Sequence, residues 1–225
     1  MDKRIGTPIM LIALAVGAML AASGCASTEE KSARHTGTER GATASNTMAS
    51  VESDIRLVVV DINATGLALT ALLNPAQEDT KAAYEAYTAS VAALVASSAV
   101  YLANSEKMGE QGRDFFDEWR IQGTTYVNPQ IRSLSEQRRG EISVFYTQIA
   151  ESSVGVKGSL KTYVTTIQEI KTYFSTDLTP KGVQAISTLA FGAIEDGYSL
   201  NTSFEGVLGS ISAVRVELAS SDAKL

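Results

Sequence analysis

Side chains able to do chemistry are scarce in this chain and poorly placed for it. Its 225 residues include one cysteine, Cys25, and one histidine, His35, both near the start. A Ser-His-Asp triad, a cysteine nucleophile, a histidine-ligated zinc and a haem-ligating histidine each need such a group inside a folded site. The long remainder of the chain has neither. The phosphate-cradling pattern GxxxxGK[ST] does not occur, and the glycine-containing pieces GVKG and GVLGS interrupt helical stripes instead of following strands. There is no EF-hand calcium loop. Carboxylates remain, but a carboxylate-bridged metal in a helical bundle draws on Glu-x-x-His from two helices. Asp61, Glu195 and Asp196 lie beside apolar stripes and read as solvated flanks. No catalytic residue, metal or cofactor is expected, and the chain is not expected to be an enzyme.

One constellation suits binding better than reaction. Phe115, Phe116 and Trp119 crowd one stretch, and Arg138 and Arg139 follow beyond an Asn-Pro pair at 128–129. Tryptophan, tyrosine and arginine are favoured at the energetic centres of interfaces, so these five residues are a candidate partner-binding patch. They are equally a candidate hairpin tip. If the chain folds back near residue 128, positions summing to about 256 face each other. Arg138 and Arg139 then oppose Glu118 and Asp117, and the three aromatic rings close the apolar end. Exposed pairs of this kind contribute about 0–1 kcal/mol each, though they do oppose wrong registers.

The elements that must hold these residues read as helices. Apolar residues step by threes and fours through four segments, as in Tyr87, Val91, Leu94, Tyr101, Met108 and Phe115, or Leu200, Phe204, Val207, Ile211 and Val214. Pro75, Pro129 and Pro180 separate the segments. A residue before proline avoids the helical region, which ends helices at Asn74 and Asn128. Asp177 or Thr179 can cap a helix that has Pro180 at its first position. The spacing predicts helices at about 46–73, 77–125, 130–175 and 180–219. The expected fold is all-α: an elongated, antiparallel up-down bundle of four long, coiled-coil-like helices over residues 46–225. Its middle pair would protrude and leave a seam near 110–145 able to form a homodimer. Gly155, Gly158, Gly192, Gly197, Gly206 and Gly209 suggest close helix approach or bends. Tyr84, Tyr87, Tyr101, Tyr146, Tyr163 and Tyr173 mostly follow the stripes, with hydroxyls expected at the rim.

The first residues concern location. Lys3 and Arg4 precede an apolar run from Ile9 to Leu20, and small residues then lead to Cys25. That is the layout of a secretory signal, and the run is short of the roughly 20 apolar residues that span a bilayer. A small residue followed by cysteine resembles the lipobox of bacterial lipoproteins, with Ala22 where leucine is commoner. The resemblance implies cleavage after residue 24 and acylation of Cys25, palmitate included. It further implies, since Ala26 and not aspartate follows, an outer-membrane lipoprotein facing the periplasm of a Gram-negative cell. Two or three acyl chains, at about 0.8 kcal/mol per buried methylene, make a lasting anchor. Residues 26–45 hold no large apolar side chain and read, with Cys25, as a disordered spacer at 25–45. Cleavage would remove Asp2, Lys3 and Arg4 from 25 acidic and 19 basic residues, leaving 24 and 17, a net charge of −7. A surface of that sign repels phosphate backbones, so nucleic acid is not an expected partner.

The stretch from Met108 to Ile142, with its aromatic helix end, Asn-Pro hinge and following S-E-x-R-R, resembles a family of secreted bacterial helical proteins known only as a domain of unknown function. DLTPKGV, residues 177–183, resembles that family's next turn. The family brings no catalytic residues. It implies a helical, exported protein. The expectation is therefore a non-enzymatic envelope lipoprotein, a structural or interaction module with an envelope protein as partner. The alternative is a periplasmic carrier holding an apolar ligand or lipid between helices.

Overall fold

The computed structural model describes residues 37–74 and 79–222. Cys25, His35 and Pro75, and with them the signal and lipidation expectations, lie outside the described residues. Four helices follow in order: α1 (Gly37–Leu73), α2 (Thr80–Gly123), α3 (Pro129–Thr176) and α4 (Pro180–Asp222). No strand occurs among the described residues. The fold is an all-α helical bundle, as the spacing predicts.

Each helix has a local reason for its limits. The Asp79 carboxylate accepts from the Ala82 amide at 2.9 Å, capping α2. At the other end of α2, the Thr124 and Thr125 hydroxyls donate to the carbonyls of Ile121 and Gln122 at 2.6 and 2.7 Å. These bonds satisfy acceptors that a helix terminus otherwise leaves orphaned. Asn128 caps α3 through the Gln130 amide at 2.8 Å, with Pro129 at the first helical position. The third turn uses both candidate caps in series. Thr179 accepts from the Gly182 amide at 3.1 Å, and Asp177 in turn accepts from the Thr179 hydroxyl at 2.6 Å. Hydrogen bonds donated by the Thr179 hydroxyl and the Thr179 amide hold the Asp177 carboxyl below its ordinary range.

Consecutive helices run antiparallel, and α1 also packs on α4, so the four close a ring. The diagonal pairs α1/α3 and α2/α4 stay apart at the backbone, with side chains filling the axis between them. Met48, Ile55, Ile62 and Leu69 of α1 meet Tyr87, Leu94 and Tyr101 of α2, Leu160, Ile167 and Phe174 of α3, and Phe204 and Ile211 of α4. Each of these residues is no more than 2 % exposed. At 1.5 Å per residue α3 is about 72 Å long and α1 about 55 Å.

Several expectations are corrected here. α1 begins at Gly37, nine residues before the expected 46, so residues 37–45 of the expected spacer are helical. Ala44 is buried there and Arg40 donates to Gln122 at 2.6 Å. Small residues continue the stripe where no large one does, which is why composition alone suggests a coil. With α1 lengthened and α4 reaching Asp222, the α2–α3 pair is flanked as far as its turn. Within the seam near 110–145, Ile142 is buried at 3 % exposure, while Ile121, Val127 and Val144 stay exposed. Ile131 and Leu134, the first large apolar residues of α3, are exposed beside the turn. Of the glycines read as close approaches, only Gly197 is one. A Cβ there would lie 3.0 Å from the Tyr163 hydroxyl, whereas at Gly155, Gly158, Gly192, Gly206 and Gly209 it would meet nothing within 4 Å.

Candidate functional site

The aromatic and arginine residues sit at the end of the bundle where α2 turns into α3. Phe115 stacks edge-on against Phe116 and Trp119, with ring centroids 5.1 and 5.5 Å apart. Phe116 reaches α3, its ring 5.5 Å from that of Tyr146. The Trp119 indole donates to the Ser135 hydroxyl of α3 at 3.0 Å, and the Tyr146 hydroxyl donates back to the Met108 carbonyl of α2 at 2.9 Å. All four rings are half-buried. The bonds Trp119–Ser135, Met108–Tyr146 and Tyr87–Ile167 each join positions summing to 254, two short of the register expected from sequence.

That shift matters less for the arginines than their neighbours do. Arg138 does not meet Glu118. It pairs with Glu217 of α4 and with Glu141 one turn along, and these hydrogen bonds, Glu217 first, raise its pKa. Glu118 lies 3.8 Å from Arg40 of α1, and Asp117 pairs with Arg120 at 3.3 Å. Arg139 is half-buried and forms no ion pair with Asp117 among the described residues. A hairpin model has only two helices to offer, whereas α1 and α4 supply the counter-charges here. The expected patch is thus divided: the aromatics plug the bundle end, and Arg138 ties α3 to α4. Arg40 and Glu217 were missed. Arg40 continues by sevens the flank of α1 that carries Thr47 and Asp54, which bond to α2 at Gln111 and Asn104.

Grooves lie between helices among the described residues. One of about 180 Å³ runs beside Phe115, lined by Arg40, Ala44, Gln111 and Glu118. A polar one of about 280 Å³ lies between α1 and α2 around Thr47 and Asn104. Another, about 250 Å³, lies between α1 and α4 and is lined by Ile62, Leu67, Tyr163, Ile194, Gly197 and Tyr198. The Tyr163 hydroxyl, on a side chain 4 % exposed, reaches this groove without a hydrogen-bond partner. Tyr87 is instead fastened to the Ile167 carbonyl at 2.9 Å and Tyr173 to that of Gly182 at 3.1 Å, while the buried Tyr101 hydroxyl is unpartnered like that of Tyr163. Burial pushes the phenols of Tyr101 and Tyr146 up to about 12, and raises Tyr87 and Tyr163 further. Tyr87, Tyr101 and Tyr163 lie in the core and not at its rim.

Among the described residues no three His, Cys, Asp or Glu side chains converge as a metal site would need. Comparison with protein-family models, curated proteins and solved structures finds no match.

Proposed function

We propose that this chain is a non-enzymatic cell-envelope lipoprotein, a helical bundle held to the outer membrane by an acylated Cys25 and serving as a structural or interaction module. The observation that carries the reading is the pairing of a lipobox-like start with a bundle whose interior is mainly apolar, with a few buried serines and one threonine. Such a core supports a stiff element, and reach is what a tethered rod can supply. The half-buried rings of Phe115, Phe116 and Trp119, at the end where α1 begins, are where an envelope partner would be gripped. Cross-linking in intact cells, with Cys25→Ser beside the native chain, tests this. Expected are an acyl mass on the mature N-terminus, membrane fractionation lost in Cys25→Ser, and a defined cross-linked partner. A mature form that starts elsewhere and carries no acyl mass overturns the anchor.

The groove beside Gly197 favours a second reading, a carrier of a small apolar ligand whose acceptor would take the Tyr163 hydroxyl. Native mass spectrometry of the purified chain separates the two: a co-purifying ligand lost in Tyr163→Phe supports the carrier, and an empty chain dismisses it.

A further inference from the structure

The seam between α1 and α2 continues outward into an apolar face that none of the described residues covers. On α1 the exposed residues Leu57, Val60, Ala64, Leu67 and Ala71 follow one another by threes and fours. On α2 the exposed Ala82, Ala86, Ala89, Ala93, Ala96, Val100 and Ala103 do the same. Each is a second heptad stripe, on the side of its helix away from the core.

Both stripes lean towards the α1–α2 seam. The flank of α1 that faces α2 is marked by Thr47 and Asp54, bonded to Gln111 and Asn104. Its continuation by sevens is Asp61 and Ala68, and Leu57, Ala64 and Ala71 each lie three or four residues from one of these. On α2 the matching flank is Ser90, Ser97 and Asn104, and Ala86, Ala93 and Val100 stand in the same relation to it. The two stripes therefore merge into one face. Leu57, Val60 and Leu67 are 53, 60 and 70 % exposed, so the face is a ridge on α1 beside an alanine valley on α2. Between Glu85 and Glu106 α2 has no charged residue, and from Leu57 to Leu73 α1 has only Asp61.

We propose that this face binds a second copy of the chain, forming a two-fold homodimer through α1 and α2. A two-fold axis lays the ridge of each copy in the valley of the other, and alanine lets helices approach closely. An isologous contact needs such self-complementarity. Stripes of about 21 and 32 Å on two helices each about 10 Å wide present roughly 500 Å² per copy. The pair then reaches the ~1,000 Å² that a specific interface needs. A membrane surface fits less well. By length and composition α1 and α2 could each cross a bilayer, but a third of each apolar window is buried in the bundle. The face also lacks the lysines, arginines and tryptophans that hold a helix at an interface. The proposal holds whether or not Cys25 is acylated.

Co-expression of full-length chains with two different tags, each as native and as Cys25→Ser, tests it by capture of one tag and detection of the other. Native pairs should co-purify from a non-ionic detergent extract. Leu67→Glu/Ala93→Glu should lower the yield at least tenfold, while Thr162→Glu/Thr165→Glu on α3 leaves it unchanged. Circular dichroism melting checks that the variants fold; if the first pair melts early, Val60→Gln/Ala89→Gln is read in its place. Failure of the native chains to co-purify, or co-purification that the face variants do not reduce, overturns the proposal. So does flotation of Cys25→Ser with phosphatidylethanolamine–phosphatidylglycerol vesicles that the face variants abolish.

Discussion

Space around single residues sorts the glycines into opposite predictions. At Gly112 a Cβ would fall 2.1 Å from the Tyr146 ring, which is held by its bond to Met108 and its contact with Phe116. Gly112→Ala should cost about 1–3 kcal/mol, as overpacking does. Gly206→Ala meets nothing and should stabilise by about 0.5–1 kcal/mol through helix propensity. The two melting temperatures should move in opposite directions. The tyrosines set an alkaline limit. A phenol buried neutral has a folded pKa above its unfolded value of about 10, so its contribution is complete below pH 10 and declines above it. For Tyr101 and Tyr146, raised by burial to about 12, the loss is about 1.4 kcal/mol per pH unit each between those values. Tyrosinate absorbance and loss of helical dichroism should rise together in that window. Separate transitions would show that the phenols ionise in the intact bundle. Trp119→Ala removes a half-buried ring and its bond to Ser135, and should lower stability by about 2 kcal/mol. An unchanged melt with loss of a cross-linked partner would instead give Trp119 to binding.

Helix ends and helix pairs carry the next set of effects. Asn128 and Thr179 each satisfy an amide that would otherwise be orphaned, and Asn128→Ala or Thr179→Ala should cost about 1 kcal/mol in urea denaturation. Arg138–Glu217 and Arg215–Glu52 tie α4 to α3 and to α1 respectively. Their side chains are 21–38 % exposed, so a double-mutant cycle on either pair should give no more than about 1 kcal/mol. Helix existence and the proline breaks were legible because a 3.6-residue apolar period and proline's missing amide are local properties. The start of α1 was not. Gly41 and Ala44 occupy stripe positions there, and only packing against α2 makes so small a surface worth ordering. Ion-pair partners were illegible for the same reason, since a hairpin drawn from two segments cannot know what the other two present.

Taken together, residues 37–74 and 79–222 form a ring of four helices in which every neighbouring pair shares the core and the diagonals meet only through side chains. Ser98 and Ser153 lie within that core with hydroxyls unpartnered, so the bundle tolerates polar atoms at mid-length. Ser153→Ala should raise the melting temperature or leave it unchanged, because removing an unsatisfied hydroxyl recovers its desolvation cost. A clear fall would mean that an ordered water bridges the hydroxyl.

From its sequence alone this protein was committed to four amphipathic helices, with prolines at the first positions of α3 and α4, and residues 37–222 hold no histidine or cysteine. Those follow from periodicity, backbone geometry and composition, which are properties of neighbours along the chain. The tertiary structure alone decided which arginine meets which carboxylate, that Gly112 and Gly197 are contacts and the other stripe glycines are not, and that one apolar stripe of α1 and one of α2 face outward together. A heptad pattern states that a helix has an apolar side, but which of two such sides becomes core depends on helices hundreds of bonds away.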